Sequence, residues 1–276
     1  MRLTWKKYLL YASAVIFSVV LFFLLEETIR LRNTGFPGKS LWDWMELLVI
    51  PLVLVLGAYF LNRSERDSER KIATDRQNEV ALQAYLDKIE DLLLKEHLRT
   101  SENEEIRDVA RIRTLTVLRG LDARRKGFVI QFLSEAKLIN ASDPVINLEG
   151  ADLRSIDLRT ISLISVDLHG VFMPNASLSY ADLTGANLKG AILASASLFH
   201  ARLTGADLSS AMLQDADLEL ADLLGADLQG ATLARTILNR ADLTNANMAG
   251  AHVSKERLAR AQSIKGATMP DGTKHE

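Results

Sequence analysis

The chain has 276 residues, which is enough for two domains, and its formal net charge is −2. It contains no cysteine, which excludes a thiolate nucleophile and a cysteine-based zinc site. Hydrophobic residues make up 48% of the sequence, a high fraction for a soluble protein, and the excess lies near the N-terminus.

Two uncharged apolar segments, residues 9–25 and 47–61, occur in the N-terminal region. As helices, both approach the length needed to cross the ~30 Å hydrocarbon layer of a bilayer, and the second is the shorter. We therefore predict a two-helix transmembrane anchor over residues 1–61. The alternatives are a cleaved signal peptide for the first segment and a buried or re-entrant helix for the second.

The loop between these segments flanks two helix ends, and it carries fewer Lys and Arg residues per helix end than the regions outside the segments do. The positive-inside rule then places both termini in the cytoplasm, in a multi-pass protein of the cell membrane. The absence of cysteine agrees with a reducing compartment.

Residues 62–140 predict a cytoplasmic helical connector. One apolar stripe recurs at spacings of four and three residues and needs a partner: Leu82, Leu86, Ile89 and Leu93. A capping signal at Ser101 predicts a second helix through Leu118, and a third helix follows Asp122. We expect the third helix region to cover the end of the following repeats through Phe128, Phe132, Leu133 and Leu138.

From residue 146 onwards the sequence has a period of five, with an alanine two places before a leucine, as in ADLTG (181–185) and ADLQG (226–230). This period matches neither one face of an α-helix nor one face of a flat strand. If the chain turns once per unit, however, every leucine can point towards a common axis. The pattern therefore predicts a solenoid of twenty-two units.

These units resemble the motif of the pentapeptide-repeat proteins. The resemblance implies a right-handed quadrilateral β-helix with four units per coil, in which the alanine and the leucine point inwards. We assign residues 146–253 to this β-solenoid and residues 254–276 to a C-terminal cap, formed by a short helix in SKERLARAQ and a turn in GATMPDGT. The predicted fold class is mixed: a transmembrane hairpin, a helical connector and then the solenoid.

The order of these parts also resembles a group of bacterial membrane-anchored pentapeptide-repeat proteins. That resemblance implies the architecture and brings no known activity with it. The sequence has no HExxH, GxxxxGK[ST], GxGxxG or GxSxG motif, and its five histidines show no metal-ligand spacing. We therefore predict no enzymatic activity, no cofactor and no metal.

Aspartate is the commonest residue just before the central leucine, where its side chain can accept hydrogen bonds from the turn backbone. The alternative is mimicry of nucleic-acid phosphates, as in the pentapeptide-repeat inhibitors of DNA gyrase, which this repeat resembles. The chain would then regulate a DNA-processing enzyme such as gyrase. Residues 141–276 carry 16 acidic against 11 basic residues, a modest field that disfavours this hypothesis and nucleic acid as a partner.

Outward positions twenty residues apart place Phe172, Ile192 and Met212 on one face, and we assign Tyr180 and Leu220 to its edge. An apolar patch of this kind marks an interface, so we predict contact with an unidentified protein or with a second copy. The alternative is that a helix of the same chain covers the patch.

A basic cluster precedes the repeats, and near a membrane such a cluster can bind anionic headgroups of lipids. The predicted headgroup contacts are Arg119, Arg124, Arg125 and Lys126. The alternatives are a solvated helix face and docking onto the acidic solenoid. The whole pattern predicts a non-enzymatic, membrane-anchored scaffold that presents a rigid solenoid for protein–protein interaction.

Overall fold

The computed structural model describes residues 41–101 and 103–276. Contacts within the chain divide it into two units, residues 1–71 and 72–276. The first predicted transmembrane segment, residues 9–25, lies outside the described residues. Of the helices that the structure describes, none combines the length and the apolar character needed to cross a bilayer. The membrane hairpin therefore stays a prediction from the sequence.

Two helices before the repeats begin at clear capping residues. The Asn103 side chain accepts a hydrogen bond from the Glu105 backbone N–H (2.9 Å), and Asp122 accepts from Arg124 and Arg125. The second helix thus begins after Asn103 and not at the predicted Ser101, because the Asn103 side chain satisfies one of the free N–H groups of the first turn. Within residues 41–101 and 103–140, the helices are α1 (Leu41–Leu94), α2 (Glu104–Gly120) and α3 (Ala123–Glu135).

The predicted apolar stripe of α1 is packed within the second unit. Leu82 and Ile89 are buried, Leu86 and Leu93 are partly buried against the same core, and Tyr85 joins them. The Tyr85 hydroxyl lies 2.9 Å from Thr114 Oγ1 of α2, and both side chains are buried. The apolar stripe of α1 therefore packs against the hydrophobic core of the same chain.

The Tyr85–Thr114 contact predicts a dependence of stability on alkaline pH. Burial raises the pKa of Tyr85 above its ordinary value of 10.0, and the hydrogen bond between Tyr85 and Thr114 offsets only part of this rise. Above pH 10 the unfolded tyrosine loses its proton while the folded one keeps it, so stability falls by about 1.4 kcal/mol per pH unit.

Tyr85→Phe removes this titration and the hydrogen bond. Urea unfolding at pH 8 should show the variant less stable by about 1 kcal/mol, and at pH 11 the difference should close or reverse. A difference that is the same at both pH values would contradict the account.

The repeats form coils of twenty residues. Parallel bridges join residues twenty apart without interruption from Asp152 with Phe172 to Thr232 with His252. Units in the middle of the solenoid bond to both neighbouring coils: Asp207 N donates to Ala186 O (2.9 Å) and Leu208 N donates to Asp227 O (2.7 Å). The prediction of four units per coil is confirmed.

The last residue of each unit makes the corner. In a typical unit, Ala206 N donates to Leu203 O (3.0 Å), and Gly205 between them has a φ of +62°. A positive φ at the third residue of a four-residue turn is the geometry of a type II turn, which glycine adopts without strain. Several units nevertheless place a larger residue there, including Tyr180 and Leu220.

The alanine and the leucine of the units are buried, as the resemblance implied. Leu203 and Leu208 are fully buried, as are Ala206 and Ala211. One unit has threonine at the inward alanine position, and the Thr236 hydroxyl donates to Leu213 O (2.7 Å). The polar group therefore has a partner inside the solenoid.

Helix α3 covers the N-terminal end of the solenoid. Gly127 lies so close to the first coil that an added Cβ would overlap the carbonyl oxygen of Asp157. Leu133 and Leu138 are buried there as predicted and Phe132 is partly buried, whereas Phe128 is 51% exposed and does not form part of the cover. The segment after α3 also protects this end, since Asn140 pairs antiparallel with Val166.

The C-terminal end differs from the predicted cap. Helix α4 (Lys255–Leu258) has only four residues, and the chain then re-enters the solenoid. Ser263 and Thr268 pair in parallel with Asp242 and Asn247, and Ala267 is fully buried. The segment predicted as a turn therefore contains a further unit, because its alanine fits the inward position. The chain then folds back, and Lys274 pairs antiparallel with Thr268.

Candidate interaction surfaces

The outward residues of the coils form four sides, which we number in chain order. Every side is one ladder of residues that are bridged at a spacing of twenty. Side 1 contains Asp152, Phe172, Ile192, Met212, Thr232 and His252; side 2 contains Asp157, Ser177, Ser197, Asp217 and Ile237. Side 3 contains Ser162, Asp182, Arg202, Asp222 and Asp242; side 4 contains Asp167, Asn187, Asp207, Asp227 and Asn247.

Side 1 carries the predicted apolar column. Phe172, Ile192 and Met212 are bridged in sequence, and Met212 is 45% exposed. Ile192 and Phe172 are partly exposed. The Arg154 guanidinium lies 5.3 Å from the centre of the Phe172 ring, so part of that ring is already covered. The accessible part of the column therefore centres on Ile192 and Met212.

Tyr180 and Leu220 do not lie at the edge of side 1, and this assignment was wrong. They follow the bridged residues of side 2 and precede those of side 3, so they occupy the corner between these two sides. The reason is geometric: eight residues after Phe172 the chain has passed one corner, the whole of side 2 and most of the next corner. Tyr180 instead stacks on His200, with ring centres 5.3 Å apart.

The aspartates of sides 3 and 4 hold the turns together. Asp182, Asp207 and Asp227 each accept a hydrogen bond from the backbone N–H two residues later. Neighbouring coils are also linked, because Asn187 Nδ2 donates to Asp167 Oδ1 (2.7 Å). In the part of the chain that the structure describes, no group of three or more His, Asp or Glu residues could hold a metal ion. These contacts support the structural role of the aspartates.

Two of the four predicted headgroup-binding residues are paired or buried in the structure, and two are exposed. Arg125 is bound to Asp75, Glu79 and Asp122, and Lys126 is 4% exposed and lies 3.8 Å from Asp152.

The hydrogen bonds that Arg125 donates to these carboxylates, above all the one to Asp75, raise the pKa of Arg125, and burial lowers the pKa of Lys126. Both side chains serve the packing of α3, so their assignment to headgroups was wrong. Arg119 and Arg124 remain exposed.

An open cleft of about 920 Å³ lies between α3 and side 2. One wall is the face of α3 that carries Arg124, Phe128 and Gln131, at spacings of four and three residues. The other wall is formed by side 2 and its corner: Asp157, Arg159, Ser179, Tyr180, Ser197, Phe199 and Asp217. The predictions from the sequence did not include this cleft, although the aromatic residues near positions 180 and 200 and the second face of α3 were visible signals.

Charge is distributed unevenly along the cleft. At the α3 end, Arg159 Nη2 lies 2.7 Å from Asp157 Oδ2, and the hydrogen bond from Arg159 lowers the pKa of Asp157. Arg124 forms no salt bridge with any residue that the structure describes. At the far end, three coils away, lies Asp217. The cleft thus has a basic end and an acidic end.

Comparisons with known proteins match the repeat region. The family model for Pentapeptide repeats (8 copies) matches residues 146–179, 175–209, 201–240 and 221–255. A pentapeptide repeat protein from the Arabidopsis thaliana thylakoid lumen is 30% identical, over 42% of this chain and 85% of that chain, with a TM-score of 0.24. One from Nostoc Pcc 7120 is 32% identical, over 39% of this chain and 84% of that chain, with a TM-score of 0.18.

QnrB1, a plasmid-mediated fluoroquinolone resistance protein, is 16% identical over 44% of this chain and 76% of that chain, with a TM-score of 0.29. The search of curated proteins found no significant match. The family match over the repeats agrees with the sequence identity to the two repeat proteins from Arabidopsis thaliana and Nostoc. The chain belongs to the pentapeptide-repeat proteins.

Proposed function

We propose that this protein is a non-enzymatic scaffold that binds another protein through side 1 of its solenoid. One observation carries the proposal: Ile192 and Met212 form an accessible apolar column on a ladder of backbone hydrogen bonds. Met212 N donates to Ala191 O and Ile192 N to Val171 O, both at 2.9 Å, so the column is held on a rigid support. A rigid apolar surface loses little conformational entropy on binding.

The proposal includes attachment to the cell membrane, with the solenoid in the cytoplasm. Support for this part comes from the sequence: the uncharged segments 9–25 and 47–61, and the distribution of Lys and Arg around them. Alkaline carbonate extraction of cell membranes tests it, because an integral protein stays in the pellet and a peripheral one is released.

Mimicry of nucleic acid gains no support from sides 3 and 4. Their acidic columns are interrupted by Arg202 on side 3, and by Asn187 and Asn247 on side 4. Arg202 Nη1 lies 3.1 Å from Asp182 Oδ2, which neutralises part of the field. Surfaces that imitate DNA need a denser and less interrupted row of charge.

Charge on the apolar column should abolish partner binding. We expect in-cell crosslinking of the Ile192→Glu, Met212→Glu variant to lose the adducts that the wild type forms, because glutamate on a packed apolar interface is costly to desolvate. The adducts are identified by detergent capture and mass spectrometry, and self-crosslinks would identify a second copy as the partner.

The matched control is Ile164→Glu, Leu224→Glu. These two side chains are also apolar and exposed, but they lie on the corner between sides 3 and 4. The control should keep the adducts of the wild type. Equal adducts from all three proteins would rule out side 1 as the binding surface.

A further inference from the structure

The cleft between α3 and side 2 differs from side 1 in shape and in chemistry. Its volume of about 920 Å³ would suit a small molecule, since such sites occupy about 300–1,000 Å³. Phe128 and Tyr180 on its walls are, however, 51% and 56% exposed. An open groove of this kind does not enclose a small ligand on most sides, whereas it can hold one face of an extended chain.

The walls carry the residue types that dominate binding energy between proteins. Tyrosine and arginine are enriched among the residues that contribute most to interfaces, and phenylalanine is enriched at interfaces generally. Tyr180 and Phe199 pack edge to face, with ring centres 5.6 Å apart, and Tyr180 also stacks on His200. The aromatic surface is therefore preorganised and needs little ordering when a ligand binds.

The length of the cleft defines the length of the ligand. Its wall runs from Asp157 in the first coil to Asp217, which is three coils away. Three steps of about 4.8 Å make about 14 Å, which an extended peptide covers in four residue steps of about 3.4 Å. In an extended chain, alternate residues point to the same side, so positions one, three and five would face the cleft.

The charged and aromatic side chains of the cleft then indicate which residue types suit these three positions of the peptide. Arg124 lies at one end, Tyr180 and Phe199 lie in the second and third coils, and Asp217 lies at the other end. We propose that the cleft binds an extended segment of a partner protein with an acidic, an apolar and a basic residue at alternate positions. The acidic residue lies beside Arg124, and the apolar one lies on the aromatic surface.

The direct test uses the purified full chain and fluorescein-labelled seven-residue peptides. Glutamate, phenylalanine and lysine occupy positions two, four and six of one peptide, with glycine or serine between them. A second peptide has the reverse order, and a third has both charges at one end. One of the first two should bind with a dissociation constant below about 1 mM by fluorescence anisotropy, and the third should not. If neither ordered peptide binds, or if all three bind alike, the proposal is wrong.

Two substitutions locate the binding on the cleft. Tyr180→Asn should weaken it at least about tenfold, and asparagine suits the positive φ of this corner, as at Asn175 and Asn245. Arg124→Glu should weaken it about three- to tenfold. It should also transfer the preference to a peptide with lysine in place of glutamate, a gain that an unfolded variant could not show. Binding that ignores both substitutions would overturn the proposal.

Two controls separate this proposal from other effects. Arg119→Glu changes an exposed arginine of α2 that does not line the cleft, and it should leave peptide binding unchanged. The Ile192→Glu, Met212→Glu variant should bind the peptide like the wild type, because those residues lie on side 1. Binding at the cleft and binding at side 1 can therefore succeed or fail separately.

Discussion

Gly127→Ala is expected to lower the free energy of unfolding by about 3 kcal/mol. The added methyl group would overlap the carbonyl oxygen of Asp157, which is backbone of the first coil and cannot rotate away as a side chain can. Helix α3 would have to move outwards, and the hydrogen bond from Asp157 N to Ala123 O (3.1 Å) would be stretched. The buried contacts of Val129, Ile130 and Leu133 would be weakened as well.

Gly120→Ala is the matched control for this prediction. Gly120 is the last residue of α2, and an added Cβ would meet no atom within 4 Å. Its substitution should be neutral or slightly stabilising, because alanine loses less conformational entropy than glycine in a helix. Urea unfolding followed by circular dichroism measures both variants, and hydrogen exchange should show faster exchange in the first coil of Gly127→Ala only. Equal stability of the two variants would refute the close contact.

Leu208→Ala, in the middle of the solenoid, should lower the free energy of unfolding by about 2–5 kcal/mol. Leu208 is fully buried on the axis, and the backbone around it is fixed by bonds to the coils on both sides. The site cannot collapse without breaking these bonds, so a cavity remains. Because each coil contacts only its neighbours, the unfolding transition should also become less cooperative.

Leu224→Ala is the control of the same chemistry. Leu224 is 40% exposed on a corner, and its removal leaves no cavity in the core, so we expect a loss of about 0.5 kcal/mol or less. Thermal and urea unfolding of the two variants give the comparison. If the two substitutions cost the same, the axial packing of the leucines would contribute less than the burial implies.

The repeat shows how much a short period can predict. A five-residue unit with one large and one small apolar residue can bury both only if the chain turns at every unit, so the sequence alone indicated a solenoid. The fourfold side count came from the resemblance, and the bridges at a spacing of twenty bear it out. The extra unit around Ala267 was missed because the intervening helix α4 shifts the pairing from twenty to twenty-one residues.

The assignments to sites succeeded less well, for a physical reason. Arg125 and Lys126 were predicted to be a free basic cluster because, apart from Asp122, their partners are distant in sequence: Asp75 and Glu79 lie in α1, and Asp152 lies in the first coil. A charge is available to a ligand only if the fold leaves it unpaired. Local composition cannot reveal this, because the pairing depends on which helix packs against which coil.

A strict repeat converts sequence spacing into spatial spacing, so the order of residues alone determines which positions point inwards and which point outwards. It also determines the apolar column of Phe172, Ile192 and Met212. The cleft does not follow from any repeat. It exists because Gly127 lets α3 approach the first coil, which leaves Arg124 and Phe128 facing Tyr180 and the rest of side 2. Contacts between a helix and a solenoid have no common period, and only their packing in three dimensions brings these residues together.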